Sequence, residues 1–244
     1  MIRNLRDLSI YQNKDGKRLK EGMFIRSAAL VDLALKDIQM LEGYKNLTVI
    51  DLRTDIERSE KPDLQLGDYH PITLMENLPS AIAHDKKSKE AIVERIPNMP
   101  ELYAGLVGKE LGVKGITEAF NIICNPNREG TILWHCTEGK DRCGVMSALF
   151  LKMMDFDDEV IMADYLKSHK SSKSRANKYY WIVRILLGNK QGAIAIKTAF
   201  SAKREFLEAA YAQIEDSYGS FEGFFDHIGI TEEIRENMKR KYLA

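Results

Sequence analysis

The segment that most constrains the fold of this chain is TILWHCTEGKDRCG, residues 131–144. An apolar run, Ile132–Trp134, ends at His135 and Cys136, and a short loop then leads to Arg142 and a second apolar run. This order predicts a buried strand, a tight loop and the start of a helix. The loop therefore lies between two regular elements, with a cysteine at its beginning and an arginine at its end.

The composition of this loop favours the binding of a phosphate group. Backbone N–H groups in a tight loop and at a helix N-terminus point toward a bound anion. The guanidinium of Arg142 supplies a planar fork that grips two phosphate oxygens at once. The residues predicted to surround the phosphate are Thr137, Glu138, Gly139, Lys140, Asp141 and Arg142.

Cys136 is expected at the base of the loop as a nucleophile. A free cysteine with a pKa near 8.5 is only about 3% thiolate at pH 7. At a helix N-terminus beside cationic groups, that pKa falls by several units. The thiolate would attack phosphorus, and water would later hydrolyse the phosphocysteine that results. The predicted reaction requires no metal ion and no other cofactor.

The ten residues HCTEGKDRCG resemble the Cys-x5-Arg signature of cysteine-dependent phosphatases. They are similar to the HCxxGKDR-T-G form, which marks the atypical bacterial tyrosine and dual-specificity phosphatases, some of which also act on phosphoinositides. Cys143 departs from this pattern, because the family usually has Thr there. The matching residues are His135, Cys136, Gly139, Lys140, Asp141, Arg142 and Gly144.

The resemblance extends over most of the chain and implies its fold and activity. It is densest at residues 4–27, 47–63, 131–144 and 205–243. The implied fold is a single α/β domain with a central, mostly parallel sheet, helices on both faces and a helical lid inserted at about residues 76–112. The implied activity is hydrolysis of phosphotyrosine in proteins, with phosphoserine, phosphothreonine and phosphoinositides as further candidate substrates.

The N-terminal segment is expected to support the loop from below. Asn4, Arg6, Asp7 and Arg26 resemble the residues that open the family pattern, although its glycines are absent here. We expect this segment to pack beneath the phosphate loop and to brace it. The alternative is that the charged residues form ordinary ion pairs with no relation to the loop.

Asp51 and Arg53 are expected at the rim of the pocket. They end and follow a predicted strand at Leu47–Leu52, and an α/β sheet places its site at the carboxyl ends of its strands. Glu57 lies four residues after Arg53, so the spacing predicts an ion pair between these two side chains.

The leaving oxygen of a phosphate ester needs a proton, so an acid must supply it. Asp141 is the first candidate because of the resemblance, Asp51 is the second, and Asp85 on the predicted lid is the third. Lys140 is expected at the rim, where its charge would favour doubly phosphorylated or inositol phosphate substrates. The alternative is a rim lysine that pairs with an acidic neighbour.

Cys143 and His135 are expected to act on Cys136 in different ways. In the family, the Thr hydroxyl donates to the nucleophile sulfur, and a thiol is a weaker donor. Slower phosphocysteine hydrolysis is therefore expected, and a reversible Cys136–Cys143 disulfide is a redox hypothesis. Simple packing is the alternative for Cys143. His135 is expected to point away from Cys136 and to orient the loop by hydrogen bonding.

Two later segments receive predictions of their own. Residues 168–178, SHKSSKSRANK, are interpreted as a basic, serine-rich loop that is solvated, with an anionic partner as the alternative. The aromatic run Tyr179–Trp181 is expected in the core, with the wall of a substrate cleft as the alternative.

Composition narrows the class of protein. Lys and Arg together number 36, as do Asp and Glu, and this neutral balance argues against a nucleic-acid partner. The chain contains no apolar run long enough for a membrane span and no apolar signal core. Three cysteines fit a reducing compartment, so a cytoplasmic location is expected. The sequence does not predict the oligomeric state.

The main alternative function is a phospho-ligand-binding module with a degraded catalytic site. The intact pair of Cys136 and Arg142 argues against it. A nucleotide-binding loop is excluded because Asp141 follows Lys140 where Ser or Thr is needed. A zinc site is not expected either, because the cysteines and histidines lack paired short spacing.

Overall fold

The computed structural model describes residues 1–77, 96–186 and 188–244. Within these residues a five-stranded sheet has the order β1-β2-β5-β3-β4, in which β1 is antiparallel to β2 and all other neighbours are parallel. This arrangement confirms the predicted α/β fold with a mostly parallel sheet. The strands are β1 (Arg6–Asp7), β2 (Phe24–Ala28), β3 (Thr48–Asp51), β4 (Asp68–Pro71) and β5 (Ile132–Cys136).

Helices cover both faces of the sheet, as predicted. They are α1 (Leu35–Glu42), α2 (Asp55–Glu60), α3 (Met99–Gly108), α4 (Glu110–Ile123), α5 (Asp141–Met153), α6 (Asp158–Leu186), α7 (Lys190–Ala199), α8 (Arg204–Tyr218), α9 (Phe221–His227) and α10 (Glu232–Tyr242). In the described part of the chain, none of these helices is long and apolar enough to cross a membrane.

The central strands are apolar on both sides because each side contacts a different core. Phe24, Ile50 and Trp134 pack into the larger core with α3, α4, α5 and α8. Their neighbours Val49 and Leu133 face a smaller core on the other side, which includes α1. Such two-sided burial is typical of parallel strands, and it places the carboxyl end of β5 at the centre of the molecule.

Residues 168–178 are helical, so the prediction of a loop is wrong. They form the middle of α6, with Ser168 and Ser172 buried. The Ser172 hydroxyl donates to the Ser168 carbonyl over 2.8 Å, one turn earlier. This bond satisfies a polar group that would otherwise interrupt the helix. The serines therefore lie within a helix that packs on the core.

The predicted lid range is described only in part. Residues 78–95, including Asp85, lie outside the described residues. The later part of the range contains α3, where Tyr103, Leu106 and Val107 are buried in the core. The single domain and its lid therefore stay predictions.

Candidate active site

The predicted strand, loop and helix are β5, residues 137–140 and α5. The loop lies against β2 so closely that a Cβ atom on Gly139 would be only 2.4 Å from the Ser27 carbonyl oxygen. Gly139 also has φ +64°, a conformation that glycine adopts without strain. The glycine is thus required by the tight path of the loop, and the path brings Cys136 and Arg142 to the same cavity.

A set of buried charges braces the loop from below. Arg26 donates to the Gly139 carbonyl over 2.8 Å and to Asp164 over 2.7 Å. Asn4 donates to the same carbonyl over 2.6 Å, and Arg6 donates to Asp164 over 2.6 Å. The prediction that the N-terminal segment braces the loop is confirmed by these contacts. Asp164 is an additional member of this brace that the sequence did not reveal.

Cys136 has the electrostatic surroundings of a nucleophile. Burial raises the pKa of its thiol, but the hydrogen bond from Cys143 and the charge of Arg142 outweigh burial and bring the pKa down to about 6. A thiol with this pKa is roughly 90% ionised at pH 7. The thiolate lies at the N-terminus of α5, where the helix dipole also favours negative charge.

Arg142 is held by a carboxylate at the edge of the cavity. Its two terminal nitrogens donate to both oxygens of Glu57, over 2.5 and 2.8 Å. It also donates to the Leu52 carbonyl over 3.2 Å, and Glu57 accepts a further hydrogen bond from the Thr137 hydroxyl. Burial raises the pKa of Glu57, but the hydrogen bonds and charge of Arg142 lower it to about 2. Glu57 is therefore a carboxylate that fixes the guanidinium.

Sequence reasoning missed this role, because it paired Glu57 with Arg53. That prediction is wrong: α2 begins with a capping box in which the Thr54 side chain and Glu57 bond to each other's backbone N–H groups. The box fixes Glu57 in the first turn of α2, facing Arg142. The Thr-x-x-Glu pattern after β3 was the available signal for a carboxylate held at a helix start.

Asp51 lies beneath the site and not at its rim, so that prediction is wrong. It is fully buried and accepts hydrogen bonds from Arg53 over 2.7 Å and from the Tyr69 hydroxyl over 2.6 Å. Burial raises the pKa of Asp51, and the bonds from Arg53 lower it to about 2. A buried, ion-paired carboxylate that is not part of the cavity wall cannot serve as the proton donor. Arg53 is 1% exposed and neutralises this charge, but it does line the cavity, so the expected position near the pocket holds for Arg53 and not for Asp51.

His135 belongs to the same buried cluster, and its ring nitrogens form no hydrogen bond with the described residues, so the expectation that it orients the loop by hydrogen bonding is wrong. Its Nε2 atom is 2.9 Å from Asp63 Oδ2, and its Nδ1 atom is 3.7 Å from Asp51 Oδ1. Ligand atoms of these three residues lie within 4.8 Å of one another, the spacing of a possible metal site. However, the Arg53 guanidinium already contacts both carboxylates, at 2.7 and 2.9 Å. The cluster is therefore an ion-pair network under the loop rather than a metal site.

Asp141 lies on the cavity wall with two donors on its carboxylate. The Tyr103 hydroxyl donates to Asp141 Oδ1 over 2.5 Å, and the Lys140 ammonium is 3.2 Å from the same oxygen. Tyr103 is fully buried and also contacts the Tyr165 hydroxyl at 2.8 Å. These contacts hold the first-choice proton donor beside Cys136, in the cavity that both residues line.

Lys140 is not a rim residue, so its predicted location is wrong, but the alternative of a pair with an acidic neighbour is borne out by its contact with Asp141 at 3.2 Å. Its side chain contributes to the cavity wall but is only 1% exposed. The ammonium donates to the carbonyl oxygens of Ala199 over 2.5 Å and Ser201 over 3.0 Å. The ammonium group of Lys140 is therefore bound by carbonyl groups at the end of α7 instead of facing solvent. Through these hydrogen bonds, Lys140 connects the loop to that helix.

The cavity above the loop has a volume of about 750 Å³. Cys136 and Arg142 lie in it together with residues of α3, α6 and α7. Tyr179 lines it and stacks on Phe200, with ring centroids 5.1 Å apart. Tyr179 is also partly buried against the small apolar cluster of Val183, Ala193 and Ile196, so core packing and the cleft wall both hold for it, whereas core packing is wrong for Trp181, which is 57% exposed.

Glu138 and Cys143 have surroundings that differ in charge. Glu138 lines the cavity and forms ion pairs with Arg3 and Arg175 on either side.

Cys143 is fully buried beneath the loop, with its sulfur 3.6 Å from the Ser27 carbonyl oxygen. Burial raises the pKa of Cys143, so it remains a neutral thiol; its sulfur donates to the Ser27 and Trp134 carbonyl oxygens, and its proximity to Cys136 lowers the pKa of that nucleophile.

A thiolate at the base of a helix-capped loop, opposite an arginine fixed by a carboxylate, defines a cysteine-dependent phosphatase. Comparison with known proteins agrees with this class. The chain belongs to the tyrosine phosphatase family, whose model matches residues 1–244. The family resemblance predicted from the loop is thereby confirmed, and the protein is a phosphatase enzyme.

Two relatives illustrate the extent of the similarity. The chain is 29% identical over 116 residues to the triple specificity protein phosphatase PtpB of Mycobacterium tuberculosis, a match that covers 44% of this chain and 42% of PtpB. It is 25% identical over 232 residues to a tyrosine-protein phosphatase of Nostoc commune, covering 88% of this chain and 72% of that protein. The match to PtpB thus spans less than half of either chain.

Proposed function

We propose that this protein hydrolyses phosphotyrosine in proteins, and that phosphoserine, phosphothreonine and phosphoinositides are further substrates. The observation that carries the proposal is the pairing of an ionised Cys136 with a fixed Arg142 at one cavity. The aromatic wall of Tyr179 and Phe200 supports an aryl substrate. One relative is named a triple specificity phosphatase, which supports the wider range.

In the first step, Arg142 and the N–H groups of the loop bind the phosphate oxygens. The Cys136 thiolate attacks phosphorus, the bond from phosphorus to the leaving oxygen breaks, and Asp141 in its protonated form gives that oxygen a proton. The charge that develops on the phosphoryl oxygens is stabilised by Arg142, which Glu57 already holds in place. The products are the alcohol or phenol and phosphocysteine.

In the second step, water replaces the leaving group. The Asp141 carboxylate takes a proton from the water as its oxygen attacks phosphorus, and the sulfur leaves as a thiolate. Inorganic phosphate is released and Cys136 returns to its starting state. The neutral Cys143 thiol, which lowers the pKa of Cys136, would stabilise the sulfur as it leaves when its proton turns from the Ser27 carbonyl toward that sulfur.

The proposed function is tested by turnover of para-nitrophenyl phosphate and of a phosphotyrosine peptide in the presence of a chelator. We expect phosphate release by the wild type, and a loss of about 10⁴-fold or more in Cys136→Ser. Cys124→Ser is the matched control, because Cys124 lies on the far side of the core beside Met153 and should leave activity unchanged. A wild type that binds the peptide without releasing phosphate would identify the alternative, a binding module.

The substrate range is a separate question. Phosphoserine peptides and short-chain phosphoinositides presented to the same enzyme would rank the classes by kcat/KM. We expect the phosphotyrosine peptide to rank first, and a higher value for a phosphoinositide would reverse the proposed order. The cytoplasmic location stays a prediction.

We also propose that Cys143 protects Cys136 from irreversible oxidation. Hydrogen peroxide would convert the Cys136 thiolate to a sulfenic acid with release of hydroxide. The Cys143 thiol would then attack that sulfur, forming a disulfide and water. Mild peroxide followed by mass spectrometry should show a Cys136–Cys143 link that a thiol reductant reverses together with activity. Oxidation that yields only sulfinic acid at Cys136 would refute the role.

A further inference from the structure

Most of α6, α7 and the residues that follow α7 form a segment that we call the basic hairpin (residues 165–186 and 188–204), and this segment differs in charge from the rest of the chain. This segment contains ten Lys or Arg residues and no Asp or Glu. Because the whole chain has a net charge of zero, the remainder carries a formal charge of −10. Eight of the ten lie in α6 and α7, while Lys203 and Arg204 follow α7 and pair with Glu205 and Glu159, so positive charge is concentrated in this pair of packed helices.

The end of the basic hairpin is apolar as well as basic. Trp181 and Ile185 on α6 and Ile194 on α7 are 57%, 69% and 44% exposed. Trp181 and Ile185 are one helical turn apart and so share a face of α6, and large exposed apolar side chains on one face mark a surface that contacts something else. Arg184 and Lys190 lie between these residues along the chain, and neither forms an ion pair with any residue that the structure describes.

Basic and apolar side chains exposed on the same pair of helices are typical of a surface that binds an anionic membrane. Helices with lysine and arginine beside exposed tryptophan and isoleucine lie in the interface of anionic bilayers. Tryptophan favours the headgroup level, and each nearby basic side chain is attracted to the negative surface. A partner that is only acidic would account for the charge but would leave the apolar side chains in water.

We propose that the basic hairpin docks on an anionic lipid bilayer, with Trp181, Ile185 and Ile194 entering the headgroup region. The same hairpin contributes Arg175 and Tyr179 to the wall of the catalytic cavity. Docking therefore holds the cavity at the membrane surface, where phosphorylated headgroups and membrane-attached phosphoproteins occur. The docking surface is separate from the catalytic residues, so it stands whether or not the proposed substrates are correct.

The two tryptophans make this proposal directly measurable. Trp134 is fully buried, so a change in tryptophan emission on adding vesicles reports the exposed Trp181. We expect a blue shift and co-sedimentation with vesicles of phosphatidylcholine and phosphatidylserine. Vesicles of phosphatidylcholine alone should cause neither effect, and added salt should release the protein from the mixed vesicles.

Variants separate the electrostatic contribution from the apolar one. Arg184→Gln with Lys190→Gln should weaken partition onto mixed vesicles by roughly 25-fold, since each basic residue contributes about 1 kcal/mol near such a surface. Ile185→Ser with Ile194→Ser should reduce binding and abolish the blue shift without changing the charge. Lys14→Gln with Lys36→Gln, both exposed and outside the hairpin, is the matched control and should bind normally.

Turnover of para-nitrophenyl phosphate should be unchanged in all of these variants, which confirms that they are folded. The proposal is overturned if the protein ignores mixed vesicles or binds phosphatidylcholine equally well. It is also overturned if RNA or an acidic polypeptide competes fully while vesicles cause no blue shift. That last result would assign the basic hairpin to a soluble polyanion instead of a bilayer.

Discussion

The phosphate loop, residues 136–142, and the basic hairpin line the same cavity but are held in different ways. The loop is fixed by buried hydrogen bonds and ion pairs, among them those of Arg26 and Glu57. The base of the hairpin packs on the main core through Tyr165 and Ala202, but its outer part is held largely by a small apolar cluster, which comprises Val183, Ala193 and Ile196 with partly buried neighbours. The comparison indicates that buried contacts of the core hold the catalytic residues in place. The basic hairpin, which forms one wall of the cavity, is held by fewer buried contacts.

The physical reason is that the two regions tolerate different errors in the positions of their side chains. Reacting groups must be held within a fraction of an ångström, which requires side chains locked by packing and hydrogen bonds. A docking surface needs only exposed area and charge. Buried ion pairs add little net stability compared with apolar packing, but removing one partner leaves the other charge buried and unpaired. The loop should therefore be far more sensitive to single substitutions than the hairpin.

The largest difference is expected in stability. Arg26→Met removes a fully buried guanidinium that contacts Asp164 and the Gly139 carbonyl. We expect a loss of about 3 kcal/mol in the free energy of unfolding, because Asp164 then keeps Arg6 as its one charged partner among the described residues. Urea unfolding followed by circular dichroism measures this change.

The matched substitution in the hairpin is Arg184→Met, at an exposed position. Its effect on the free energy of unfolding should stay within about 0.5 kcal/mol. Equal losses in the two variants would remove the basis of the comparison, since the hairpin would then be as tightly built as the loop.

The next effect is on catalysis and concerns Glu57. Glu57→Gln leaves Arg142 without the charge that fixes its guanidinium. We expect kcat to fall by about 10²-fold, the typical effect of disturbing one group that stabilises transition-state charge. Steady-state kinetics with para-nitrophenyl phosphate measure kcat and KM separately. Asp55→Asn, an exposed carboxylate on the same helix, is the control, and an equal effect there would show that only α2 had been disturbed.

The loop could be predicted from sequence because its information is local. Strand, loop and helix are consecutive, so Cys136 and Arg142 were placed by spacing alone, and Gly139 by the turn that joins them. The sheet was also predictable, because its central strands are apolar on both sides. These features depend on neighbours along the chain.

The wrong predictions concern residues whose positions depend on contacts with residues distant in the sequence. Glu57 forms its ion pair with Arg142, which is 85 residues away in the sequence. No local pattern indicates whether Glu57 pairs with Arg53 or with Arg142. Asp51 looked like a rim residue because it ends a strand, but Arg53 folds back and keeps it buried. Lys140 is drawn inward by carbonyl groups of α7, whose position no sequence pattern foretold.

A third prediction concerns Tyr103, whose hydroxyl positions the Asp141 carboxylate. Tyr103→Phe should lower kcat for phenyl phosphate about 10-fold, because a poor leaving group depends on a well-placed proton donor. Turnover of para-nitrophenyl phosphate should change little, since its leaving group needs little protonation. A purely structural defect would lower both rates equally. Tyr211→Phe is the control, because the buried Tyr211 hydroxyl has no partner among the described residues.

A fourth prediction follows the pKa of the nucleophile. Only the thiolate reacts, so kcat/KM should rise with pH through the Cys136 pKa of about 6. Cys143→Ala removes the hydrogen bond that stabilises the thiolate, so this pKa should rise and the acid limb of the profile should move to higher pH. Activity is then lost at pH 6 and retained well above the new pKa. An unmoved limb would mean that Arg142 alone lowers the pKa of Cys136.

The smallest effect is expected from Cys143→Thr, which restores the residue usual in the family. A hydroxyl is a stronger donor than a thiol, so it should stabilise the departing sulfur better and speed phosphocysteine hydrolysis several-fold, on the order of 1 kcal/mol or less. Burst kinetics with para-nitrophenyl phosphate separate this second step from the first. Cys143 is fully buried beneath the loop. The variant therefore tests whether one buried donor beside Cys136 sets the rate of the second step. A slower second step would show that the site is fitted to sulfur.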